Sequence, residues 1–261
     1  YFGDGSDFGI RIKYSIEHEP LGTGGAIAHA AQQLNLAPEE SFFVFNGDVI
    51  SAHDLTEQNE FHQRTGAQAT LHLVEVEDAR AYGCVPLDDD GRVQQFLEKM
   101  DNPIAKTINA GCYILTSNVL AAIKPGEVVS VERETFPKLL ENGVRVTGFV
   151  DSQYWIDMGT PQSLIQASRD LILVPGRSSL RTGATNGSLI STGAKVDPTA
   201  RIGEGSCIED GAAIGAGAII SGSIISAGAK IEAGAVIIDS FIAPDTRVVS
   251  GSSLNNVIFG Y

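Results

Sequence analysis

The sequence predicts an α/β layered domain followed by a parallel β-helix, and two observations carry this prediction. Within residues 1–173, strand-like apolar runs alternate with helix-like segments, which is typical of a layered α/β sheet. Within residues 188–261, aliphatic residues recur every six positions, a period that neither a helix nor an isolated strand shows. Residues 174–187 are rich in Pro, Gly, Ser and Thr, and we expect a linker there.

The elements of the first domain follow from local composition. Strands are expected where β-branched and aromatic residues are concentrated, and helices where Ala, Leu and charged residues recur at helical spacing. The predicted strands are 11–17, 41–45, 69–76, 93–99, 108–115 and 144–150. The predicted helices are 25–36, 54–65, 131–140 and 161–173.

The second domain is predicted from its hexapeptide repeat. The unbroken steps of six run through Ile190, Val196, Ile202, Ile208, Ile214 and Ile220. After a step of five the series resumes, and a second step of five follows later, through Ile225, Ile231, Ile237, Ile242 and Val248. Three such repeats form one triangular coil in which the aliphatic residues point inward and glycines round the corners. The pattern resembles the left-handed β-helix family.

Composition and charge narrow the function classes. The chain has 261 residues and no apolar run as long as a membrane span, so we expect a soluble protein. The formal net charge of −14 argues against nucleic-acid binding, which needs a basic face. Anionic small substrates remain compatible, because a bound divalent cation reverses the local field. The three cysteines form no C-x-x-C pair, which favours reduced thiols in a cytoplasmic protein.

Two aspartates are expected at the ends of strands. Asp48 follows an apolar run and Asn46-Gly47, and Asp157 precedes a turn that opens the helix at Pro161. Ligands of open α/β sheets bind at the carboxyl ends of strands, and two carboxylates facing one cleft would hold Mg²⁺ together with substrate phosphates. On its own segment, Asp48 is equally well explained as a turn residue.

Three polar segments are further candidates. The Gly-rich turn 19–25 precedes a helix, where glycines let the backbone approach a ligand and the helix N-terminus favours anions. Lys99 is one of few cations in an acidic chain and would meet a phosphate as a point charge. The segment 109–111, Asn-Ala-Gly, has the amide and backbone access suited to sugar hydroxyls. Each segment by itself also has a structural explanation: an ordinary loop, a solvated lysine and an ordinary turn.

In this order the segments resemble the sugar-1-phosphate nucleotidyltransferases, which couple a sugar 1-phosphate to an NTP. The run 19–24 has one residue fewer between Glu and Leu than the family's base and ribose loop, and Met100 stands where the family has proline. The run 129–137 is similar to the mannose-1-phosphate guanylyltransferases in particular. The resemblance implies a Rossmann-like, glycosyltransferase-A-like domain that makes an NDP-sugar and pyrophosphate, most closely GDP-mannose from GTP and mannose 1-phosphate.

The resemblance also assigns roles to residues. It implies that Asp48 and Asp157 hold Mg²⁺ and that Lys99 binds the sugar phosphate. The implied contacts to base and ribose are Glu19, Leu21, Gly22, Thr23 and Gly24. The implied contacts to the sugar are Gly83, Glu98, Asn109 and Gly111.

One motif of the family is absent from the sequence, and several other functions stay open. The family's Gly-rich triphosphate loop has no counterpart in residues 1–16, so we expect the first strands of the domain to be missing and this chain alone to be inactive. A glucose-1-phosphate uridylyl- or thymidylyltransferase and a non-catalytic homologue that binds nucleotide sugar stay open. An acyltransferase is disfavoured, because the repeats contain no histidine. The weakly charged face between Ile214 and Ile231 predicts a homo-oligomer formed through the β-helix.

Overall fold

The computed structural model describes residues 2–97, 99–124, 126–174, 184–185 and 187–260. The chain divides into two compact units, Tyr1–Trp155 and Ile156–Tyr261. The helix at 161–173 falls in the second unit, whereas the sequence grouped it with the first domain. None of the helices in the described ranges is long and apolar enough to cross a bilayer.

A mixed sheet forms the centre of the first unit. Its four strands are β1 (Ser41–Phe45), β3 (Ala69–Glu75), β4 (Thr107–Thr116) and β5 (Val146–Asp151). The short strand β2 (Val49–Ser51) follows β1 and is not part of this sheet. The four-stranded sheet has the order β1-β4-β3-β5, with β4 antiparallel to both of its neighbours and β5 parallel to β3. The long strand β4 is buried over its last seven residues, so it supplies much of the core.

Three helices accompany this sheet. They are α1 (Gly22–Ala31), α2 (Leu55–Thr65) and α3 (Phe136–Glu141). Asp54 begins α2 by accepting hydrogen bonds from the backbone N–H groups of Thr56 and Glu57 at 2.7 and 3.2 Å. A π-helical turn, Val131–Thr135, leads directly into α3. Phe136 is fully buried and stacks on Phe96 at 5.0 Å between ring centroids, which fixes α3 against the core.

Two predicted strands do not form. Residues 11–17 run as irregular chain with exposed Tyr14 and Ile16, and no ladder in the described part of the chain includes them. Residues 93–99 make only the isolated bridges Leu87–Val93 and Cys84–Leu97. Both segments have strand-like composition, but a strand needs a partner in register, and composition does not supply one.

The second unit combines one helix with a parallel β-solenoid. It begins near the short strand β6 (Trp155–Asp157), which ends just inside it, and continues with α4 (Pro161–Leu173). The solenoid strands are β7 (Ala184–Thr185), β8 (Ser188–Ile190), β9 (Lys195–Val196), β10 (Arg201–Ile202), β11 (Cys207–Ile208), β12 (Ala213–Ile214), β13 (Ile219–Ser221), β14 (Ile224–Ile225), β15 (Lys230–Ile231), β16 (Val236–Ile238), β17 (Phe241–Ile242), β18 (Arg247–Val248), β19 (Ser253–Asn255) and β20 (Ile258–Phe259). They form three sheets, and every pair is parallel except β7 with β8. Strand β7 lies inside the predicted linker, of which 175–183 and 186 fall outside the described residues.

The inward columns hold one aliphatic residue per coil. Parallel pairing stacks Ile190, Ile208, Ile225 and Ile242 in one column, Val196, Ile214, Ile231 and Val248 in the second, and Ile202, Ile220, Ile237 and Leu254 in the third. Both steps of five occur at the same corner of successive coils, where Gly222 and Asp239 turn the chain with φ of 56° and 45°. The predicted parallel β-helix is confirmed, and its three sheets are those expected of the left-handed family.

Arg169 joins α4 to that corner of the solenoid. Its Nη1 donates to Asp239 Oδ1 at 2.6 Å. A Cβ at Gly205 would lie 3.0 Å from Arg169 Cγ, and one at Gly222 would lie 3.1 Å from Arg169 Nη1. Glycine at these two positions therefore leaves the room that the arginine side chain needs to lie across the coils.

Candidate active site

The segment that carries Asp48 leaves β1 opposite Gly111 of β4. Asn46 N donates to Gly111 O at 2.8 Å. Gly111 has a φ of 77°, and a Cβ there would lie 3.0 Å from Asn46 Nδ2, so both conformation and space favour glycine. Asp48 is exposed just beyond the strand end, where the sequence predicts it.

The Asn-Ala-Gly segment is a bulge inside a strand rather than a turn. The register between β3 and β4 passes from Leu71 opposite Tyr113 to Leu73 opposite Asn109, so β4 carries extra residues between the two pairs. Asn109 Oδ1 accepts a hydrogen bond from Gly111 N at 3.1 Å, which stabilises the bulge locally. The turn interpretation is therefore wrong, because β4 continues through both sides of the segment.

Asn109 belongs to a polar cluster that the sequence analysis did not identify. Its Nδ2 donates to Tyr113 Oη at 2.7 Å and to Glu132 Oε1. Tyr113 is 1% exposed, and its Oη lies 3.4 Å from Glu132 Oε1. Burial and the nearby Glu132 charge raise the pKa of Tyr113, so its hydroxyl stays protonated. The run 129–137 resembles the family, but its spacing does not predict that Glu132 reaches Asn109.

The glycines of the Gly-rich turn pack against the protein's own backbone. Gly22 has a φ of 69°, and a Cβ there would lie 2.7 Å from Val129 O. The N–H groups of Gly24 and Gly25 donate to the same Val129 oxygen at 2.8 and 3.3 Å. A Cβ at Gly25 would collide with Glu127 O. Close packing thus accounts for these glycines, and the nucleoside contacts implied for the turn stay a prediction.

The same turn is tied to the segment that carries Glu132. Thr23 Oγ1 accepts a hydrogen bond from Val131 N at 2.9 Å, and Leu21 O accepts one from Val129 N at 2.9 Å. Glu19 is exposed. The turn predicted to bind the nucleoside and the asparagine predicted to bind the sugar therefore flank one segment.

Gly83 and Lys99 lie at one end of a short antiparallel pair. Cys84 and Leu97 exchange backbone hydrogen bonds of 3.1 and 3.0 Å. Gly83 is buried with a φ of 75°, and Lys99 is exposed. The structure thus places Gly83, implied for the sugar, at the same end as Lys99, implied for its phosphate, while Glu98 lies outside the described residues.

The chain that precedes Asp157 is fixed to the β4 bulge. Trp155 Nε1 donates to Ala110 O at 2.9 Å, and Tyr82 packs edge-on against the Trp155 ring at 5.9 Å. Asp157 is half-buried, and its Oδ1 accepts from Gly159 N at 2.7 Å. Asp48 belongs to the first unit and Asp157 to the second, and their convergence on one ion stays a prediction.

Each of the two aspartates, taken by itself, has the chemistry of a magnesium ligand. Across the described residues, no group of three or more His, Cys, Asp or Glu side chains is arranged to hold a metal by itself. Mg²⁺ commonly takes only one or two carboxylates and completes its shell with waters and phosphates. Asp48 is exposed, and Asp157 keeps Oδ2 for a further contact, so each aspartate suits such an ion.

A buried histidine cluster lies on β3 and just before α2, and its His53 lines one cavity together with Asn46 and Gly111. The rings of His53 and His72 stack at 3.8 Å between centroids, and His72 Nε2 lies 3.7 Å from Asp151 Oδ1. His53 Nε2 shares a hydrogen bond of 2.9 Å with Gln58 Oε1. Burial, with a smaller contribution from His53, lowers the pKa of His72 to about 4. His72 is therefore neutral at pH 7 and structural.

The comparisons with known proteins agree with this architecture. Residues 184–261 match the GMPPB C-terminal domain family. A mannose-1-phosphate guanylyltransferase from Mycobacterium tuberculosis is 46% identical over 217 residues, which cover 83% of this chain and 60% of the relative. Mannose-1-phosphate guanylyltransferase 1 from Arabidopsis thaliana is 38% identical over 212 residues, covering 81% of this chain and 58% of the relative. The chain spans about three fifths of the length of these curated relatives.

A solved structure shares the fold, and a family match covers most of the chain. HddC from Yersinia pseudotuberculosis complexed with GMP-PN superposes with a TM-score of 0.52 and 30% identity over 60% of this chain and 65% of that one. Residues 1–172 match the nucleotidyl transferase family. With its strand-end Asp48 and the polar bulge of β4, the chain belongs to the nucleotidyl transferase family.

Proposed function

We propose that the protein transfers a guanylyl group from GTP to mannose 1-phosphate, giving GDP-mannose and pyrophosphate. The observation that carries the proposal is the polar bulge of β4 beside the strand-end Asp48, in a chain 46% identical to a mannose-1-phosphate guanylyltransferase. HddC, a relative solved with GMP-PN, adds support for a guanine nucleotide.

The proposed reaction is a displacement at phosphorus. A phosphate oxygen of mannose 1-phosphate attacks the α-phosphorus of GTP, and the bond from this phosphorus to the β-phosphate bridging oxygen breaks. Pyrophosphate leaves with that electron pair, so no proton has to be transferred. Such chemistry depends on positioning and on stabilising charge.

The chain's residues would supply that positioning. Lys99 would bind the phosphate of mannose 1-phosphate, and the segment 109–111 would bind its hydroxyls. The turn at Gly22–Gly24 would contact the nucleoside. Bound Mg²⁺, held by Asp48 and Asp157, would neutralise phosphate charge.

A substrate matrix tests the proposal. The natural full-length protein is incubated with Mg²⁺ and every combination of GTP, UTP or dTTP with mannose or glucose 1-phosphate, and pyrophosphate release is measured. GTP with mannose 1-phosphate should be fastest, and chelation of Mg²⁺ should abolish release. Preference for UTP or dTTP with glucose 1-phosphate would replace the proposal by the alternative transferase. Binding of GDP-mannose without turnover would favour the non-catalytic homologue.

The assignment of Lys99 has its own test. Lys99→Ala should raise the KM for mannose 1-phosphate far more than the KM for GTP, because a lost cation weakens only the phosphate beside it. Lys106→Ala, which removes another exposed lysine, is the matched control and should change neither constant. Equal effects of Lys99→Ala on both substrates would contradict the assignment.

We also infer that the protein works in the cytoplasm as a homo-oligomer formed through its β-helix. The free cysteines Cys84, Cys112 and Cys207 are compatible with a reducing compartment. The outward residue Ile219 is 37% exposed on a weakly charged face, which favours protein contact. Ile219→Asp should therefore reduce the sedimentation coefficient of an oligomer to that of a monomer. A wild-type protein that is monomeric at micromolar concentration would contradict the inference.

A further inference from the structure

The hydrogen bonds of Asn109 leave little of its side chain for a ligand. An amide has two donor hydrogens and one acceptor oxygen. Nδ2 uses its donors on Tyr113 Oη and Glu132 Oε1, and Oδ1 accepts from Gly111 N. Asn109 is therefore held by the protein from three sides, has no spare donor, and keeps only the second lone pair of Oδ1 for a sugar hydroxyl.

Glu132 is the open group of this cluster. Its side chain is exposed, and Oε1 accepts from Asn109. Among the described residues, no hydrogen bond reaches Oε2. The carboxylate thus has one oxygen held by Asn109, and its other oxygen accepts no hydrogen bond from the described residues.

Helix capping does not account for Glu132. Ser130 begins the turn, because its Oγ accepts from Arg133 N at 3.2 Å. Glu134 Oε1 accepts in return from Ser130 N at 3.1 Å. This reciprocal pair completes the cap, and Glu132 is left without a part in it.

The position of Glu132 suits a bound substrate. Val131 N donates to Thr23 Oγ1 on one side, and Glu132 Oε1 accepts from Asn109 on the other. A carboxylate accepts hydrogen bonds from neutral hydroxyls but repels phosphate, so hydroxyl-rich rather than phosphate-rich portions of a ligand fit here.

We propose that Glu132 accepts hydrogen bonds from sugar hydroxyls of the sugar 1-phosphate, and that Asn109 positions its carboxylate. This inference rests on the proposed function and adds a residue that sets sugar specificity. Because Asn109 holds Oε1 and so orients the carboxylate, Oε2 accepts from a hydroxyl only in a particular position, and it discriminates against sugars in which that hydroxyl is inverted or absent.

Glu132→Gln tests the proposal, with Glu134→Gln as its matched control. The substituted amide keeps an oxygen for Asn109 but replaces the open acceptor by a donor. Glu132→Gln should raise the KM for mannose 1-phosphate by roughly 10- to 100-fold and leave the KM for GTP unchanged. Glu134→Gln removes the same charge two residues away and should leave both constants within about threefold of wild type.

Deoxy substrates separate contact from positioning. Mannose 1-phosphates that lack the 2-, 3- or 4-hydroxyl are compared with the parent sugar in wild type and Glu132→Gln. If Glu132 contacts one of these hydroxyls, the loss of binding free energy for Glu132→Gln with the sugar that lacks this hydroxyl should be smaller than the sum of the two separate losses. The other deoxy sugars should show additive losses. Additive losses at every hydroxyl, or an unchanged KM, would overturn the proposal.

The role of Glu132 and the proposed guanylyl transfer can be contradicted separately. Absence of turnover in the wild-type protein with any sugar 1-phosphate would count against the proposed function. Calorimetric binding of mannose 1-phosphate to wild type and Glu132→Gln would then decide the role of Glu132: weaker binding by the variant supports it, and equal or absent binding overturns it.

Discussion

The two units bury their polar side chains in opposite ways. In the sheet unit, buried polar groups bond to one another across elements: Thr70 on β3 links His62 of α2 to Thr147 of β5 at 2.8 and 3.0 Å. In the solenoid, Ser223 Oγ accepts from Ser240 N of the next coil at 3.0 Å and donates to Ser221 O within its own corner. The sheet unit therefore couples distant segments, whereas each coil depends on its neighbours.

The largest expected effects follow from truncating one core residue in each unit. Leu71→Ala and Ile220→Ala each remove a fully buried side chain and should each lower the free energy of unfolding by about 2–5 kcal/mol. Hydrogen exchange should accelerate throughout the sheet unit for Leu71→Ala but only in the coils around β13 for Ile220→Ala. Ile219→Ala, next to Ile220 but 37% exposed, is the matched control and should cost far less. Equally accelerated hydrogen exchange in every coil of the solenoid after Ile220→Ala would contradict the view that each coil depends only on its neighbours.

Acid should weaken the sheet unit first. The pKa of His72 is lowered to about 4 by burial, so between pH 6.5 and 4 the unfolded chain binds a proton that the folded chain does not. Stability should therefore fall as pH drops through this window, by up to about 3 kcal/mol. The solenoid contains no histidine and should begin to lose stability only near pH 4.5, the ordinary pKa of a glutamate, because the lowered pKa values of Glu232 and Asp197 act from there downward.

The control for this pH dependence is His72→Gln. The substitution removes one of two buried histidines with a lowered pKa and should reduce the slope of unfolding free energy against pH between 6.5 and 4, while His62 retains part of it. An unchanged slope, measured by urea denaturation across that range, would show that another group binds the proton.

The serine corner of the solenoid should respond more weakly. Ser223→Ala removes the acceptor of Ser240 N, which lies in a fully buried residue, and should cost about 1–3 kcal/mol. Ser250→Ala, at an exposed serine, should cost less than half as much. Equal losses in thermal unfolding would mean that the buried column is not needed for coil stacking.

The smallest expected effect is at the start of α4. Thr160 Oγ1 accepts from Ser163 N at 3.1 Å and caps the helix. Thr160→Ala should cost about 1 kcal/mol and Thr160→Ser almost nothing, because serine keeps the acceptor. A loss of several kcal/mol in urea denaturation would mean that Thr160 does more than cap the helix.

How far the sequence predicts the structure differs between these regions for a physical reason. In the solenoid, the inward residue of each face is set by local spacing, so Ile208 and Ile225 fall into one column without knowledge of distant segments. The strand-end position of Asp48 is likewise local. The bulge at Asn109 and its bond to Glu132 depend on register and on a segment 23 residues away, which spacing does not encode. The strand predicted for residues 11–17 is wrong for the same reason. Their composition favours a strand, but it does not show whether another strand lies beside them.

Position-specific labelling of GTP tests most directly whether the protein transfers the α-phosphorus of GTP to the sugar phosphate. GTP labelled at the α-phosphate is incubated with mannose 1-phosphate and the natural full-length protein, in parallel with GTP labelled at the γ-phosphate. We expect the label of the α-phosphate to appear in GDP-mannose and the label of the γ-phosphate to appear only in pyrophosphate. Label from the γ-phosphate in a sugar product, or α-label that stays in unconverted GTP, would contradict it.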